Sequence, residues 1–321
     1  MTHDGGGRDD AIPLLVIGGP TAAGKTELSL RIAERVGGEI ISADSMQIYQ
    51  QLAIGTAKPT PEERARVPIH LIDFVPPDGE YTVAQFKLDA DRLIREVHER
   101  GMLPILSGGT GLYLSAVTEG FDFPPPPRDE EVRERLWEQV ARVGSPRMHN
   151  RLSEVDPEAA QRIDPADAKR ILRALEVYEI TGSPISAQQH VDDGAGIVYN
   201  CAKYVLTSPR ERLFERIEHR VDLMMEAGWL DEVRDLAAQR VPPEAQSMQA
   251  IGYRHLLEHL AGERDLDETI RLIKRDTRHY AKRQMTWLRG GERYRWLALG
   301  SNLQRRACTD SIVRDARRLQ G

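Results

Sequence analysis

Three clusters of residues in this chain have a chemistry written into their side chains and intervals. The first is Gly18-Gly19-Pro20-Thr21-Ala22-Ala23-Gly24-Lys25-Thr26, in which Gly19, Gly24, Lys25 and Thr26 fit G-x-x-x-x-G-K-[ST]. Glycines let successive backbone N–H groups turn toward one point. A helix starting behind them adds about half a positive charge, so the loop can cradle a di- or triphosphate. Lys25 then reaches the terminal phosphates as a point charge, and the Thr26 hydroxyl is placed to ligate Mg²⁺. The motif leaves open whether the pyrophosphate belongs to a nucleotide or to something else. The second cluster centres on Asp44, read either as a general base or magnesium ligand beside the pyrophosphate, or as the N-cap of a following helix. The third is Gly108-Gly109-Thr110, whose hydroxyl either clamps a leaving pyrophosphate or closes an ordinary turn. Asp73 competes for a magnesium contact, although Phe74-Val75-Pro76-Pro77 lead away from a helix.

For these residues to meet, strands must end together. Residues 14 to 17 are an apolar, β-branched run that stops at glycine. Behind the loop, apolar residues at 28, 32, 33 and 36 predict a helix stopped by Gly37-Gly38. Residues 38 to 43, 69 to 73 and 102 to 106 read as further strands. Between the last two, residues 81 to 100 form a helix opened by a Thr82/Gln85 capping box, with apolar positions 83, 86, 90, 93, 94 and 97. This alternation predicts a parallel, doubly wound α/β sheet with its ligands outside the carboxyl ends of the strands. The prolines at 124 to 127 then act as a rigid spacer. Beyond them the chain reads as mostly helical, over residues 128 to 143, 166 to 181, 209 to 227, 229 to 239 and 266 to 289. A β-like run at 196 to 206, and a weaker one at 294 to 299, return toward the first sheet. The expected organisation is a disordered tail (1–11), a core (12–123), a helical insertion (124–200), a return to the core with basic helices (201–300) and a C-terminal helix (301–321).

The chain has 321 residues, 40% hydrophobic and 29% charged, which is the composition of a soluble globular protein. No apolar run approaches the ~18 residues of a membrane span, and the polar, acidic start is not a signal peptide, so a cytoplasmic location is expected. Cys201 and Cys308 stand apart, without disulfide or zinc spacing. A net charge of −6 argues by itself against nucleic acid, but between Thr269 and Arg295 nine Lys/Arg face only Asp276 and Glu292, a local +7. Arg271, Lys274, Arg275, Arg278, Lys282 and Arg289 fall on one broad helical face, interleaved with Tyr280, Trp287, Tyr294 and Trp296, which could stack on unpaired bases. The plain alternative is a solvated face. Lys169-Arg170 with Arg173, and Arg212, Arg216 and Arg220 at steps of four, add further basic rows.

The P-loop, Asp44-Ser45-Met46-Gln47-Ile48-Tyr49, Gly55-Thr56-Ala57-Lys58-Pro59, Gly108-Gly109-Thr110-Gly111-Leu112-Tyr113, Ile251-Gly252-Tyr253-Arg254 and Lys282-Arg283-Gln284-Met285-Thr286-Trp287-Leu288-Arg289 occur in this order. Together they resemble the bacterial tRNA dimethylallyltransferases, or tRNA isopentenylpyrophosphate (IPP) transferases, over roughly residues 13 to 300. The resemblance implies a P-loop NTPase-like parallel-sheet core flanked by helices, with a mostly helical insertion, in a monomer without a protein partner. It implies transfer of a dimethylallyl group from dimethylallyl diphosphate, with Mg²⁺, to N6 of adenosine 37 in tRNAs reading codons that start with U. Residues Gly18 to Thr26 would then hold the diphosphate, Asp44 would take the N6 proton, Thr110 would grip the pyrophosphate and Arg220 would point at it. Asp44, Ser45, Met46, Gln47, Thr110, Arg133, Lys169, Arg170, Ile171, Leu172, Arg173, Gln249, Ala250, Ile251, Gly252, Tyr253, Arg254 and the segment from Lys282 to Arg289 match regions that touch tRNA. Two other classes compete with this reading. One is a small-molecule kinase or free-adenylate prenyltransferase with the same loop. The other is a nucleotide-gated binding module, for which only Asp73 offers a switch residue.

Overall fold

The structure, a computed structural model, describes residues 11–119, 129–188, 199–290, 294–300 and 302–321. Most of the expected tail, the prolines at 124 to 127, the first residues of the strand expected from 196, and Glu292 and Arg293 lie outside them.

Six strands form one sheet: β1 (Pro13–Gly18), β2 (Gly38–Ala43), β3 (Ile69–His70), β4 (Leu103–Gly108), β5 (Asn200–Thr207) and β6 (Arg295–Ala298). Their order is β3-β2-β4-β1-β5-β6 and each neighbouring pair is parallel. The register sets Gly18 beside Gly108, and Ala43 on the other side of Gly108, so β1, β4 and β2 stop at one level. The three expected clusters therefore leave the sheet at the same edge, as the alternating pattern predicts.

Helices cover both faces. Residues Lys25–Val36 form α1, Pro61–Arg66 α2, Val83–Glu99 α3 and Gly111–Thr118 α4. Because side chains alternate along a strand, Leu14 and Val16 meet Phe86 and Ile94 of α3 and Leu114 of α4, while Leu15 and Ile17 meet Leu28 and Ile32 of α1. The capping box at Thr82/Gln85 forms, and a second one at Thr60/Glu63 opens α2.

Two compact units divide the chain: residues up to Thr118 together with those from Ile197, and Glu119–Gly196. The second unit is built of α5 (Glu130–Val143), α6 (Ser145–Val155), α7 (Pro157–Arg162), α8 (Ala168–Thr181) and α9 (Ile185–Gln188) around Leu136, Met148, Leu152, Ile171 and Leu175. The first unit is completed by α10 (Arg210–Glu226), α11 (Trp229–Ala238), α12 (Tyr253–Leu260), α13 (Leu266–Gly290) and α14 (Asn302–Leu319). Here α13 lays Ile273 and Leu288 on the Leu14 face, and α14 lays Ile312 and Val313 on the opposite face.

One of the two readings of Asp44 falls away. Asp44 caps no helix: residues 45 to 48 form turns, in which Asp44 Oδ1 accepts the N–H groups of Met46 (2.9 Å) and Gln47 (3.3 Å). An Asx turn gives the carboxylate the same backbone partners that a cap would, so the two look alike in sequence.

Candidate active site

The loop after β1 reaches α1 through Gly24, whose φ of 89° is left-handed and leaves the first N–H groups of the helix facing outward. Its neighbour Ala22 also sits at a positive φ, 59°, a strain of about 1–2 kcal/mol held by the surrounding turn. Lys25 Nζ donates to Pro20 O at 2.8 Å, folding its ammonium over the loop. Burial pulls this ammonium down to about 8; Asp44 opposes the shift and Arg220 adds to it. The three charges are therefore electrostatic neighbours, although they come from α1, the end of β2 and α10.

A pocket of about 760 Å³ lies over this edge. Its polar wall holds Lys25, Thr26, Asp44, Arg220 and Gln47, and its apolar wall holds Met46, Val221, Met224, Trp229 and Ile251. Asp44 Oδ2 has no hydrogen-bond partner among the described residues. Thr110 Oγ1 accepts the Ser45 N–H at 3.1 Å and so is joined to the turn that carries Asp44. Tyr280 of α13 lines the same pocket, its hydroxyl pushed up to about 12 by burial and by Asp44.

Two further residues hold the walls together. Gln284 on α13 accepts the Thr21 N–H through Oε1 (2.9 Å) and donates from Nε2 to Gly109 O (2.8 Å), tying the P-loop to the turn before Thr110. Glu232 on α11 accepts N–H groups from Ala53, Ile54 and Gly55 and the Tyr253 hydroxyl (2.9, 2.8, 3.3 and 2.5 Å), fixing two motif loops against each other. Between those loops lies the Trp229 indole, where a Cβ on Gly55 or Gly252 would come within about 2 Å of the ring. The glycines of both motifs are thus the room for one tryptophan.

Asp73 does not join this site. It bonds Lys58 Nζ (2.6 Å) and Arg64 (3.2 Å), which hold its carboxyl below the usual range against the opposing effect of burial.

The family model for IPP transferases matches residues 47–291. The chain belongs to the IPP transferase family. It is 50% identical over 303 residues to a tRNA dimethylallyltransferase of Symbiobacterium thermophilum, covering 94% of each chain. It is similar to the crystal structure of the full-length tRNA isopentenylpyrophosphate transferase of Bacillus halodurans (TM-score 0.70, 40% identity, 96% of this chain and 99% of that one). It is also similar to a eukaryotic dimethylallyltransferase acting on tRNA (TM-score 0.74, 29% identity, 94% of this chain and 77% of that one).

In this IPP transferase family member, the residues matched to tRNA-touching segments divide by location. Asp44 to Gln47, Gln249 to Ile251, Tyr253, Arg283 and Gln284 line the large pocket. Lys282 lies over the Phe214 ring, and the Trp287 indole donates to Ser115 Oγ at 3.4 Å beside Gly111. Several side chains of these segments are turned inward instead. Ile171 and Leu172 belong to the helical core of the second unit, and Leu288 packs on Gly18, so helical periodicity withdraws them from any partner. In the second unit Lys169, Arg170 and Arg133 are exposed, and Arg173 is bonded to Glu176 (2.9 Å).

The basic face of α13 also needs correcting. Arg271 is paired with Glu268, Lys274 with Asp222 and Arg275 with Asp276 (2.5, 2.6 and 2.8 Å), and Arg278 with Glu218. Two of those carboxylates come from α10, which a count along one helix cannot see. Lys282, Arg283 and Arg289 form no ion pair among the described residues, so the unneutralised charge gathers at the end of α13. Arg216 and Arg220, read with Arg212 as a basic row, are half-buried on α10, where Arg220 lines the pocket.

Proposed function

We propose that this protein transfers a dimethylallyl group from dimethylallyl diphosphate to N6 of adenosine 37 in tRNA, releasing diphosphate. The observation that carries this reading is one pocket with a phosphate loop, an unengaged carboxylate oxygen and an apolar wall. The relatives' names, tRNA dimethylallyltransferase and tRNA isopentenylpyrophosphate transferase, support it. The loop amides and Lys25 hold the diphosphate, and Met46, Val221 and Met224 give the five-carbon chain a dry surface.

An exocyclic adenine amine is a poor nucleophile, because its lone pair is delocalised into the ring. Asp44 Oδ2 accepts its hydrogen and takes the proton as the new C–N bond forms. The electron pair of the breaking C–O bond passes to the diphosphate, whose growing charge meets Lys25, Arg220 and the loop amides. Thr110 does not line the pocket itself, but its hydroxyl is joined to the Asp44 turn and would meet the leaving diphosphate from there. Thr26 and Asp44 line the pocket together, and their hydroxyl and carboxylate are the groups that would hold a Mg²⁺ ion there. Such an ion would neutralise charge on the diphosphate. To reach the pocket the base must leave its stack, and the free cations Lys282, Arg283 and Arg289 provide phosphate contacts for the surrounding strand.

Labelled dimethylallyl diphosphate offered with tRNA or with AMP tests this reading. Label is expected in tRNA alone; label in AMP would make the protein a free-adenylate prenyltransferase.

The depressed Lys25 ammonium sets a pH dependence. Phosphate ionisation is complete above about pH 7, so over pH 7–9.5 Lys25 is the group that changes. The donor is expected to bind tightest below pH 8 and to weaken as pH rises through about 8, with proton uptake measured by calorimetry in buffers of different ionisation heat. An affinity flat over that range would remove Lys25 from the contact. The free end of α13 predicts a salt effect: Lys282→Ala should lower the slope of log tRNA affinity against log salt by about one unit. A slope equal to that of the wild type would mean that Lys282 faces water.

A further inference from the structure

Arg216 is a half-buried cation without a counterpart among the described residues. Its Nε and Nη2 are closed to solvent and meet no acceptor among the described residues. Its charged neighbours are Arg305 of α14 and Arg220, both cations, and burial together with these two arginines holds its guanidinium below the usual arginine range. A guanidinium in such surroundings is normally paired, because a buried charge without a partner is costly. Its place in the fold indicates which anion is missing. Arg216 lies between Leu213 and Ile217 on α10, and Ala22 of the phosphate loop packs against the small cluster that those two residues form with Ala281. Arg220, one helical turn further on, lines the pocket with Lys25. This face of α10 therefore lies on the phosphate loop and carries two arginines, of which only Arg220 has carboxylates, Asp44 and Glu63, among its electrostatic neighbours.

We propose that Arg216 is a second arginine of the diphosphate site, binding together with Arg220 the anion that the P-loop cradles. The inference rests on reading that pocket as a diphosphate site and adds a residue to it. A guanidinium meets phosphate oxygens with two parallel N–H donors, and a change of rotamer would carry the Arg216 fork to them. A closed position under the loop tip suits a small anion rather than a polymer lying on the surface. With Lys25 and Arg220, Arg216 would surround the diphosphate with three cations as the C–O bond breaks and its electron pair passes to the leaving oxygen.

Calorimetry with inorganic pyrophosphate in magnesium buffer tests the proposal, using wild type, Arg216→Met and Arg216→Lys. The Met variant should bind pyrophosphate about 10- to 100-fold more weakly, and the Lys variant should recover part of the loss through its charge. Affinity for tRNA without donor should stay as in the wild type. Where the Met variant melts too low for titration, the rise in melting temperature caused by pyrophosphate is compared between wild type and Arg216→Lys, and should be smaller in the variant. Pyrophosphate affinity equal to wild type in the Met variant overturns the proposal. So does an unchanged pyrophosphate affinity with weakened tRNA binding, which would assign Arg216 to an RNA phosphate. If the wild type itself binds no pyrophosphate, the reading of the pocket fails as well. Wild-type binding with an indifferent variant removes Arg216 alone.

Discussion

Asp44→Asn is expected to slow single-turnover prenyl transfer by about 10³-fold while tRNA binding and thermal stability stay close to wild type. Asparagine keeps a carbonyl oxygen where Asp44 Oδ1 accepts the Met46 and Gln47 N–H groups, so the turn survives. What disappears is a basic oxygen at Oδ2, the group that would take the N6 proton. The charge beside Lys25 and Arg220 disappears with it, so donor affinity measured without Mg²⁺ should rise slightly or hold, because one anion no longer competes for those cations. The loss should therefore appear in the rate of the chemical step rather than in either binding constant. A transfer rate within tenfold of wild type would remove Asp44 as the base.

Lys25→Met should lower kcat/KM for the donor by about 10²- to 10³-fold, with little effect on tRNA affinity. Methionine keeps an unbranched stem of similar length but cannot donate to Pro20 O or to phosphate. The fold should not suffer: the ammonium is held in a buried place that already weakens its charge, so removing it relieves a desolvation cost. A melting temperature at or above wild type, combined with poor donor use, is the expected pattern. Equal loss of donor and tRNA binding would instead mean that the loop has collapsed.

The central strands and the phosphate loop were legible because each depends on local signals: an apolar run ended by glycines, then helical periodicity. Strand order was less so, since the register of Gly108 between Gly18 and Ala43 is a property of three segments at once. The candidate site was read from its motifs, but the links between them were not. Gln284 was visible as part of a motif, yet its bond to Thr21 spans 263 residues, and nothing near either one announces it. Glu232 was missed altogether; an exposed-looking acid in the first turn of α11 has an obvious local role, and its true partners are loop amides from residues 53 to 55. Charge along α13 misled in the same way, because Asp222 and Glu218 neutralise it from a neighbouring helix.

The most direct test of the whole account is mass spectrometry of the nucleoside at position 37 in tRNA from cells with and without this protein. The account predicts N6-dimethylallyladenosine, or a derivative built on it, in the first and bare adenosine in the second, with the modification restored by wild type and not by Asp44→Asn. Identical nucleosides in both, from a purified protein that hydrolyses a nucleoside triphosphate and ignores dimethylallyl diphosphate, would contradict it.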